Sequence, residues 1–453
     1  MEKRWNGYGP PVCAGLGGAL ALAAVWVCVN LGQGTLWDRA GVALAVVALT
    51  AASVCLLRLE GVRGDRLLVM LLPIGASMLI RALCLDHVTL DYEDFLHHWY
   101  VYFKENGGFQ GIAGSVGDYN MPYLYFMAAI SYSDTPDLYL IKLFSMAWDV
   151  ALAWGCLRLV RSLAGERQGS VAPLIAFGAA LLLPTVVLNG AYWAQCDVIY
   201  GALCIHAAAL ALEGRSKTSV ALMGVAFSFK LQSIFVLPLW GVLWLAKKVK
   251  FRELWVFPPA YLATILPAML LGKPLADILG IYFTQMGEYP RLTLNAPSVY
   301  QFIPYGVQPD QALAARLGIA AAGLLVLALL ALGFWLGDRL DRETAMAIAV
   351  VLCVGVPFLL PHMHERYFFL ADVFTLCWAC ADWRRLPAAV LAGGSSLASY
   401  CVYLRLKYNC VLNFGGTRFV MGLEALAMLA ALAFSAWVLA RQVREIIQRE
   451  GTA

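Results

Sequence analysis

The sequence predicts an all-α, polytopic integral membrane protein. Of its 453 residues, 61% are hydrophobic, and the mean hydropathy is +0.71. Apolar runs recur from Val12 to Ala440, at lengths near the ~20 residues that one helix needs to cross a bilayer. No soluble domain, low-complexity segment or repeat separates these runs, so residues 1–453 are interpreted as a single membrane domain.

The apolar runs predict about 12–14 membrane helices. The first run follows Lys3 and Arg4 and lacks a small-residue cleavage site, so we expect a retained helix and not a signal peptide. Two runs are too short to cross alone, and they meet at Lys230 between basic flanks, which predicts a hairpin of short helices that returns to its starting side. The candidate spans are about 12–31, 40–59, 67–84, 138–160, 171–188, 197–212, 219–229, 231–246, 254–271, 312–336, 344–360, 366–382, 386–403 and 417–440.

The basic residues predict which loops face the cytoplasm. Of the 33 Lys and Arg residues, 21 lie at the N-terminus and in the loops near 58–66, 158–170, 213–218, 247–253, 337–343, 382–385 and 441–450. Because cytoplasmic loops are enriched in Lys and Arg, the outer face is assigned the loops 85–137 and 272–311, the turn PHMHER and a loop near 404–418. Residues 86–137 carry eight acids against the single Lys104. The net charge of +4 does not indicate a nucleic-acid partner.

The strongest functional signal lies in the first outer loop, in the stretch TLDYEDFLHHWYVYFK at residues 89–104. Ionisable side chains beside a membrane span are functional-site candidates. The alternative is local structure, in which Asp91 is the N-cap and Asp94 the N3 residue of an amphipathic helix. Both interpretations can hold together. The candidate site residues of this stretch are Asp91, Glu93, Asp94, His97, His98 and Trp99.

The same loop predicts two interfacial helices. Residues 92–106 have an amphipathic pattern that Gly107 and Gly108 end. After a Gly-rich turn, the stretch MPYLYFMAAISY is too short to span a bilayer and is interpreted as a second helix in the interface.

A second candidate is the turn PHMHERYFFL at residues 361–370, between two apolar runs. Its His362, His364, Glu365 and Arg366 include possible ligands for a divalent metal, but the i, i+2 spacing does not put both imidazoles on one helical face. Arg366 with the histidines suits a phosphate equally. The third interpretation is an interfacial turn with solvated polar groups.

Three further segments place polar groups on the predicted outer side. Lys230, in the apolar hairpin FSFKLQSIFVLP, must reach the interface, pair with an acid or meet an anionic ligand. The segment NGAYWAQCD places Gln195 and Asp197 at a helix entrance, where a capped terminus is the alternative. The segment EYPRLTLNAPSVY places Arg291 and Asn295 among aromatic residues, in a stretch long enough for a binding loop.

These groups match the requirements of sugar transfer from a lipid phosphate. A carboxylate takes the proton from the acceptor hydroxyl. Cations stabilise the departing phosphate, and aromatic and polar side chains hold sugar rings.

The segments resemble the GT-C superfamily of membrane glycosyltransferases, which use polyprenyl-phosphate sugars as donors. The eukaryotic members that add glucose to dolichol-linked oligosaccharide carry Asp-Tyr-Glu, His-Trp and Asp-Tyr-Pro-Pro elements, a Phe-Lys-Gln element before a Pro, and a His-Glu-Lys turn. Here His98 and Trp99 are displaced by one residue from the family spacing, unless His97 takes the place of the family histidine. Asn120 and Met121 interrupt the third element, and Arg366 replaces the Lys of the turn. The matching residues are Asp91, Tyr92, Glu93, His98, Trp99, Asp118, Tyr119, Pro122, Phe229, Lys230, Gln232, Pro238, His364, Glu365 and Arg366.

A second likeness is to bacterial proteins related to the GPI-anchor mannosyltransferases. These share a Trp-Gly-Gln-x-Asp element and an Asn-Ala element. The matching residues here are Trp193, Ala194, Gln195, Asp197, Asn295 and Ala296. The ordered blocks of both likenesses extend over about residues 89–370.

The resemblance implies a GT-C fold and an inverting hexosyltransferase in a bacterial cytoplasmic membrane, with its active site outside and Asp91 as the catalytic base. It implies a polyprenyl-phosphate sugar donor, a glycan or lipid-linked acceptor and membrane lipids as partners, and we expect no metal or other cofactor. The substrate-binding residues would be Glu93, Asp94, His97, His98, Trp99, Asp118, Tyr119, Gln195, Asp197, Lys230, Gln232, Arg291, Asn295, His362, His364, Glu365 and Arg366.

Two other classes of protein stay as alternatives. An outer-face polysaccharide polymerase or ligase would use a lipid-diphosphate donor. A lipid-linked sugar transporter or flippase would place ionisable residues near the bilayer midplane between repeat halves, and the sequence shows no such halves.

Overall fold

The structure is a computed structural model that describes residues 8–164, 170–287, 291–304, 307, 309–406 and 417–451. It is 80% helical with almost no strand, which confirms the predicted all-α membrane fold. Most of the predicted outer loop near 404–418 lies outside the described residues, as do residues 288–290, 305–306 and 308 of the loop 272–311.

The α-helices follow one another with short connections. In chain order they are α1 (Gly9–Val29), α2 (Leu36–Leu59), α3 (Gly64–Cys84), α4 (His97–Glu105), α5 (Met121–Ile130), α6 (Asp137–Ala164), α7 (Ala172–Leu182), α8 (Pro184–Val187), α9 (Asp197–Leu212), α10 (Ser216–Phe229), α11 (Pro238–Leu245), α12 (Phe251–Leu254), α13 (Phe257–Leu270), α14 (Leu275–Gly287), α15 (Gln311–Leu336), α16 (Arg342–Leu359), α17 (Phe369–Ala381), α18 (Leu386–Tyr403) and α19 (Thr417–Gly451).

Tighter and wider helical turns join these helices. The segments Tyr92–Leu96 and Leu188–Tyr192 are π-helical. Five segments of the described chain are 3-10 helices: Gly108–Ala113, Leu231–Phe235, Val299–Phe302, Gly337–Arg339 and Trp383–Arg385. Two short strands, β1 (Thr293–Leu294) and β2 (Met363–His364), pair in parallel.

Nine helices of the described chain are long and apolar enough to cross a membrane, and the bent pair Ala172–Leu182 and Pro184–Tyr192 raises the count to ten. The count is lower than the expected 12–14 because some predicted spans are apolar helices of fewer than 18 residues, such as Asp197–Leu212 and Phe369–Ala381. The nine are Gly9–Val29, Leu36–Leu59, Gly64–Cys84, Asp137–Ala164, Phe251–Leu270, Gln311–Arg339, Arg342–Leu359, Trp383–Tyr403 and Phe419–Arg449.

The first outer loop contains both expected helices. The predicted helix over 92–106 consists of a π-helical turn followed by α4, and Gly107, with a φ of +71°, follows its end. A left-handed glycine at this position is a common helix stop. The second predicted helix is α5. The expected break at Lys230 is also present, because that residue is extended between α10 and the 3-10 helix Leu231–Phe235.

The chain divides into two compact units. The first comprises Met1–Arg158, Pro173–Ala202 and Thr264–Ile278. The second comprises Leu159–Ala172, Leu203–Ala263 and Leu279–Ala453.

Close backbone approach shapes the first unit. Helices α1 and α3 pack together at Gly17 and Gly75, where an added Cβ would overlap the carbonyl oxygens of Leu71 and Gly17 respectively. Small residues at helix contacts are typical of membrane proteins, in which close packing replaces the hydrophobic driving force between helices.

Helix α16 forms the centre of the second unit. Its residues from Thr344 to Phe358 are all buried, and it contacts α11, α15, α17 and α19. A helix that is apolar on every face requires such surroundings. The turn PHMHER, which follows the C-terminal end of α16, is therefore attached to a helix that is packed on all sides.

Candidate functional site

The carboxylate of Asp91 is held by a distant segment of the first unit. Its Oδ2 accepts hydrogen bonds from Trp193 Nε1 at 3.1 Å and from Gln195 Nε2 at 2.6 Å. The backbone of Asp91 is already helical and its side chain makes no capping bond, so the alternative interpretation of Asp91 as an N-cap is wrong. The two donors are 102 and 104 residues away in the sequence.

The donor segment is fixed by its own internal hydrogen bonds. Asn189 Nδ2 donates to Asp197 Oδ2 at 2.7 Å, and its Oδ1 accepts the backbone N–H of Asp197 at 3.1 Å. The backbone carbonyl of Asn189 accepts the N–H of Gln195 at 2.8 Å. Ala194, which lies between Trp193 and Gln195, has a φ of +65°, a left-handed conformation that costs a non-glycine residue roughly 1–2 kcal/mol. This bent segment turns the side chains of Trp193 and Gln195 toward Asp91.

Two aromatic rings extend the contact. Tyr119 OH donates to Gln195 Oε1 at 2.8 Å, so the Gln195 amide accepts from Tyr119 and donates to Asp91. Trp99 packs edge-to-face on Tyr119, with ring centroids 5.0 Å apart. A Cβ at Gly117, whose φ is +68°, would lie 2.9 Å from the Trp99 indole. We call Asp91, Trp193, Gln195, Tyr119 and Trp99 the Asp91 group.

A second carboxylate, Asp137, holds the π-helical turn that follows Asp91. Its Oδ1 accepts from Tyr92 OH at 3.0 Å, and its Oδ2 lies 3.0 Å from His97 Nδ1. Burial, and then the charge of Asp137, raises the pKa of the Tyr92 hydroxyl well above its usual value, so this hydroxyl stays a donor. Tyr92 at the start of the turn and His97 directly after its end are thereby both bonded to the first residue of α6.

Several predicted site residues of the first loop lie on its exposed side. Glu93, Asp94, His98 and Asp118 are exposed. His98 Nδ1 donates to the carbonyl of Asp94 at 3.0 Å, a contact within one helical turn. The structure therefore separates the acidic cluster: Asp91 points toward the donor segment, and its neighbours point outward.

In the second unit, the predicted loop and the predicted turn form one structure. Thr293 pairs with Met363 in the short parallel ladder, and Asn295 bridges to His364. The N–H of His362 donates to the carbonyl of Leu292 at 2.9 Å. The loop stretch 291–295 is thereby fixed against the turn.

The backbone of this junction is unusual on both sides. His362 and Asn295 have φ values of +62° and +58°. His362 Nδ1 donates to the carbonyl of Arg291 at 2.8 Å, and the Asn295 carbonyl accepts a bond from Ser399 Oγ. The side chain of Arg291 is exposed. His362 and Asn295 are thus parts of the scaffold that holds the turn.

The turn concentrates charge beside Lys230. Glu365 is 1% exposed, and its Oε1 lies 3.6 Å from Arg366 Nη1 and 4.0 Å from His364 Nδ1. Burial, followed by the charges of Arg366 and Lys230, lowers the pKa of His364 to about 3. The imidazole is therefore neutral at neutral pH. We call Lys230, His364, Glu365 and Arg366 the Arg366 group.

Lys230 owes its position to the break between two short helices. Its φ of −155° and ψ of 133° are extended, and its side chain and that of Gln232 are both buried. A buried ammonium in a membrane protein is costly unless it meets an opposite charge or an anionic ligand. Its charge contributes to the lowered pKa of His364, so Lys230 lies close to the turn.

Sequence reasoning did not single out Asp137 and His87, and it named Trp193 only as part of a family-like element. Trp193 is part of the quoted Trp-Ala-Gln-Cys-Asp element, but its indole was not expected to donate to Asp91. Asp137 is the first residue of a span, and His87 stacks on Tyr192 at 3.7 Å between ring centroids. Within the described ranges, no three His, Cys, Asp or Glu side chains gather as metal ligands would.

No protein-family model matches the chain, and no curated protein matches its sequence.

Proposed function

We propose that this protein is an inverting GT-C-type glycosyltransferase. It moves a hexose from a polyprenyl-phosphate donor to a glycan or lipid-linked acceptor on the outer face of a bacterial cytoplasmic membrane. The observation that carries the proposal is the carboxylate of Asp91, oriented by Trp193 and Gln195 at one oxygen. The ordered sequence blocks that resemble the superfamily supply these three residues.

Asp91 acts as the general base. It takes the proton of the acceptor hydroxyl while the acceptor oxygen forms a bond to the anomeric carbon of the sugar. The bond from that carbon to the phosphate oxygen breaks in the same displacement, so the configuration inverts. The N–H groups of Trp193 and Gln195 are neutral, so they orient the carboxylate without contributing a cation.

The Arg366 group receives the leaving phosphate. The donor is a phosphodiester with one negative charge, and the departing polyprenyl phosphate gains a second charge as the sugar leaves. Lys230 and Arg366 supply charge-assisted hydrogen bonds that strengthen as this charge develops. Glu365 holds the guanidinium of Arg366 at 3.6 Å, and the neutral His364 offers a further hydrogen-bonding group. No metal is needed for this step.

The test is turnover by the purified full-length protein in lipid nanodiscs, with a panel of synthetic polyprenyl-phosphate and polyprenyl-diphosphate sugars. We expect a monophosphate donor to be consumed and the product to have the inverted configuration. Turnover of diphosphate donors alone would instead favour the polymerase or ligase. Translocation of a lipid-linked sugar without turnover would favour a transporter.

A further inference from the structure

Helix α6 carries a buried polar face inside an otherwise apolar membrane span. Its Tyr139, Lys142, Ser145 and Asp149 are spaced by three or four residues, so their side chains lie on one side of the helix. Each is at most 1% exposed. Polar side chains inside a membrane span are costly and are commonly functional.

The upper part of this face holds the segment that leads to Asp91. Lys142 Nζ donates to the carbonyl oxygens of Cys84, Leu85 and His87, at 2.7, 3.2 and 2.6 Å. The first two belong to the end of α3, where carbonyl groups lack helical partners. Within a membrane, such groups must be satisfied by protein. Lys142 therefore determines the direction in which the chain leaves α3.

The middle of the same face holds the segment that carries Gln195. Ser145 Oγ donates to the Gln195 carbonyl at 2.8 Å. A Cβ at Gly190 would lie 3.0 Å from Ser145 Cβ, so the π-helical turn Leu188–Tyr192 is packed directly on α6.

The lower part of the face supports the bend before that segment. Asp149 Oδ2 pairs with Arg81 Nε at 2.7 Å, with both side chains fully buried. Arg81 Nη1 also donates to the carbonyl of Leu181 at 2.8 Å, close to the end of α7. The ion pair thus connects α3, α6 and the bent helix pair.

We propose that Lys142 and Ser145 are positioning residues that set the contact between Asp91 and Gln195. One helix holds both segments, and each hydrogen bond fixes a main chain that leads to one partner of the 2.6 Å contact. The kinetic consequence of this role rests on the proposed function, whereas its effect on the two segments does not.

The test compares Lys142→Met and Ser145→Ala with Trp154→Phe in the full-length protein. Met has a similar length to Lys and no charge, so α6 should still insert. Trp154 Nε1 donates to Glu60 Oε1 at 2.7 Å, so its variant removes one hydrogen bond of the same helix as a matched control.

We expect Lys142→Met to lower kcat by about 10²-fold, the typical cost of a misplacement of roughly 1 Å, while the donor KM changes by less than about twofold. Ser145→Ala should lower kcat by about fivefold, as expected for one neutral hydrogen bond. Trp154→Phe should match the wild-type protein. If Lys142→Met and Ser145→Ala had the same kcat as the control Trp154→Phe, the positioning role would be overturned.

Hydrogen–deuterium exchange in nanodiscs provides a readout that needs no substrate. Exchange should rise over residues 84–97 in Lys142→Met and over residues 189–197 in Ser145→Ala, and over neither in Trp154→Phe. Unchanged exchange in the first two variants would refute the proposal. If the wild-type protein turns over none of the donors, the proposed function fails, and the exchange comparison alone decides whether α6 fixes the two segments.

Discussion

The Asp91 group and the Arg366 group each contain a carboxylate, but they surround it differently. Asp91 accepts from an indole and an amide, both neutral. Glu365 lies beside a guanidinium and a histidine, with Lys230 close enough to influence the same histidine. Neutral donors suit a carboxylate that takes up a proton, whereas a group with two cations and one acid suits an anion. The difference supports separate roles for the two regions.

The largest expected effect is the loss of the base. Asp91→Asn keeps the shape of the side chain and an oxygen for Trp193 and Gln195, but it removes the proton acceptor. We expect turnover to fall by ~10²–10⁴-fold, the usual contribution of general-base catalysis. Steady-state kinetics with the active donor measures this.

The control for Asp91 is Asp94→Asn, because Asp94 is an exposed acid of the same helical segment. Its effect should be much milder. Normal turnover by Asp91→Asn, or a larger loss in Asp94→Asn, would place the base elsewhere.

Neutralising the Arg366 group should have the next largest effect. Lys230→Gln or Arg366→Gln removes one of the two charges that the proposed mechanism uses to stabilise the leaving phosphate, so turnover should fall by ~10²-fold or more. Lys104→Gln is a matched control, since Lys104 is an exposed cation that pairs with Asp134 at 3.0 Å. A donor-bound structure with the phosphate far from both Lys230 and Arg366 would contradict this role.

The depressed pKa of His364 predicts a pH-dependent stability. Below pH 6.5, the usual pKa of histidine, His364 binds a proton in the unfolded chain, whereas in the folded protein it stays neutral down to about pH 3. The contribution of the neutral imidazole is therefore complete above pH 6.5 and is lost as the pH falls toward 3. At pH 5 the loss should be on the order of 2 kcal/mol.

Melting temperatures of the purified protein between pH 7 and pH 5 test this effect. The wild-type protein should lose more stability over this range than His364→Gln, which has no titrating imidazole. His98→Gln, at an exposed histidine, should follow the wild-type curve. Parallel curves for wild type and His364→Gln would show that the site does not hold a neutral imidazole.

The smallest effect should come from a chelator. The charges of Arg366 and Lys230 that disfavour a protonated His364 equally disfavour a divalent cation there, and His362 Nδ1 is bonded to the Arg291 carbonyl. We therefore expect turnover to be unchanged in EDTA. Complete loss with rescue by magnesium or manganese would instead show that turnover requires a divalent metal.

The membrane fold and the helices of the first outer loop follow from the sequence. Apolar runs of sufficient length must become helices, because a bilayer leaves no other partner for the backbone. Gly107 ends α4 where expected, with a φ of +71°, and the chain breaks at Lys230 as the two short runs predicted. These features depend on residues close together in the chain, so local pattern determines them.

The candidate site was only partly predictable. The sequence alone determined which segments hold reactive side chains: the first outer loop, the segment before Asp197, the loop at Asn295 and the turn at His364. It did not determine which side chains meet, because contacts over about a hundred residues depend on how the helices pack.

Tertiary structure alone decided three features of this protein. It aimed Asp91 at Trp193 and Gln195 instead of at its own helix terminus. It joined the loop at Thr293 to the turn at Met363 by a two-residue ladder. It also gave the buried polar residues of α6 their partners. Each feature pairs hydrogen-bonding groups from distant segments, and the cost of leaving such groups unpaired away from water is what makes those pairings specific.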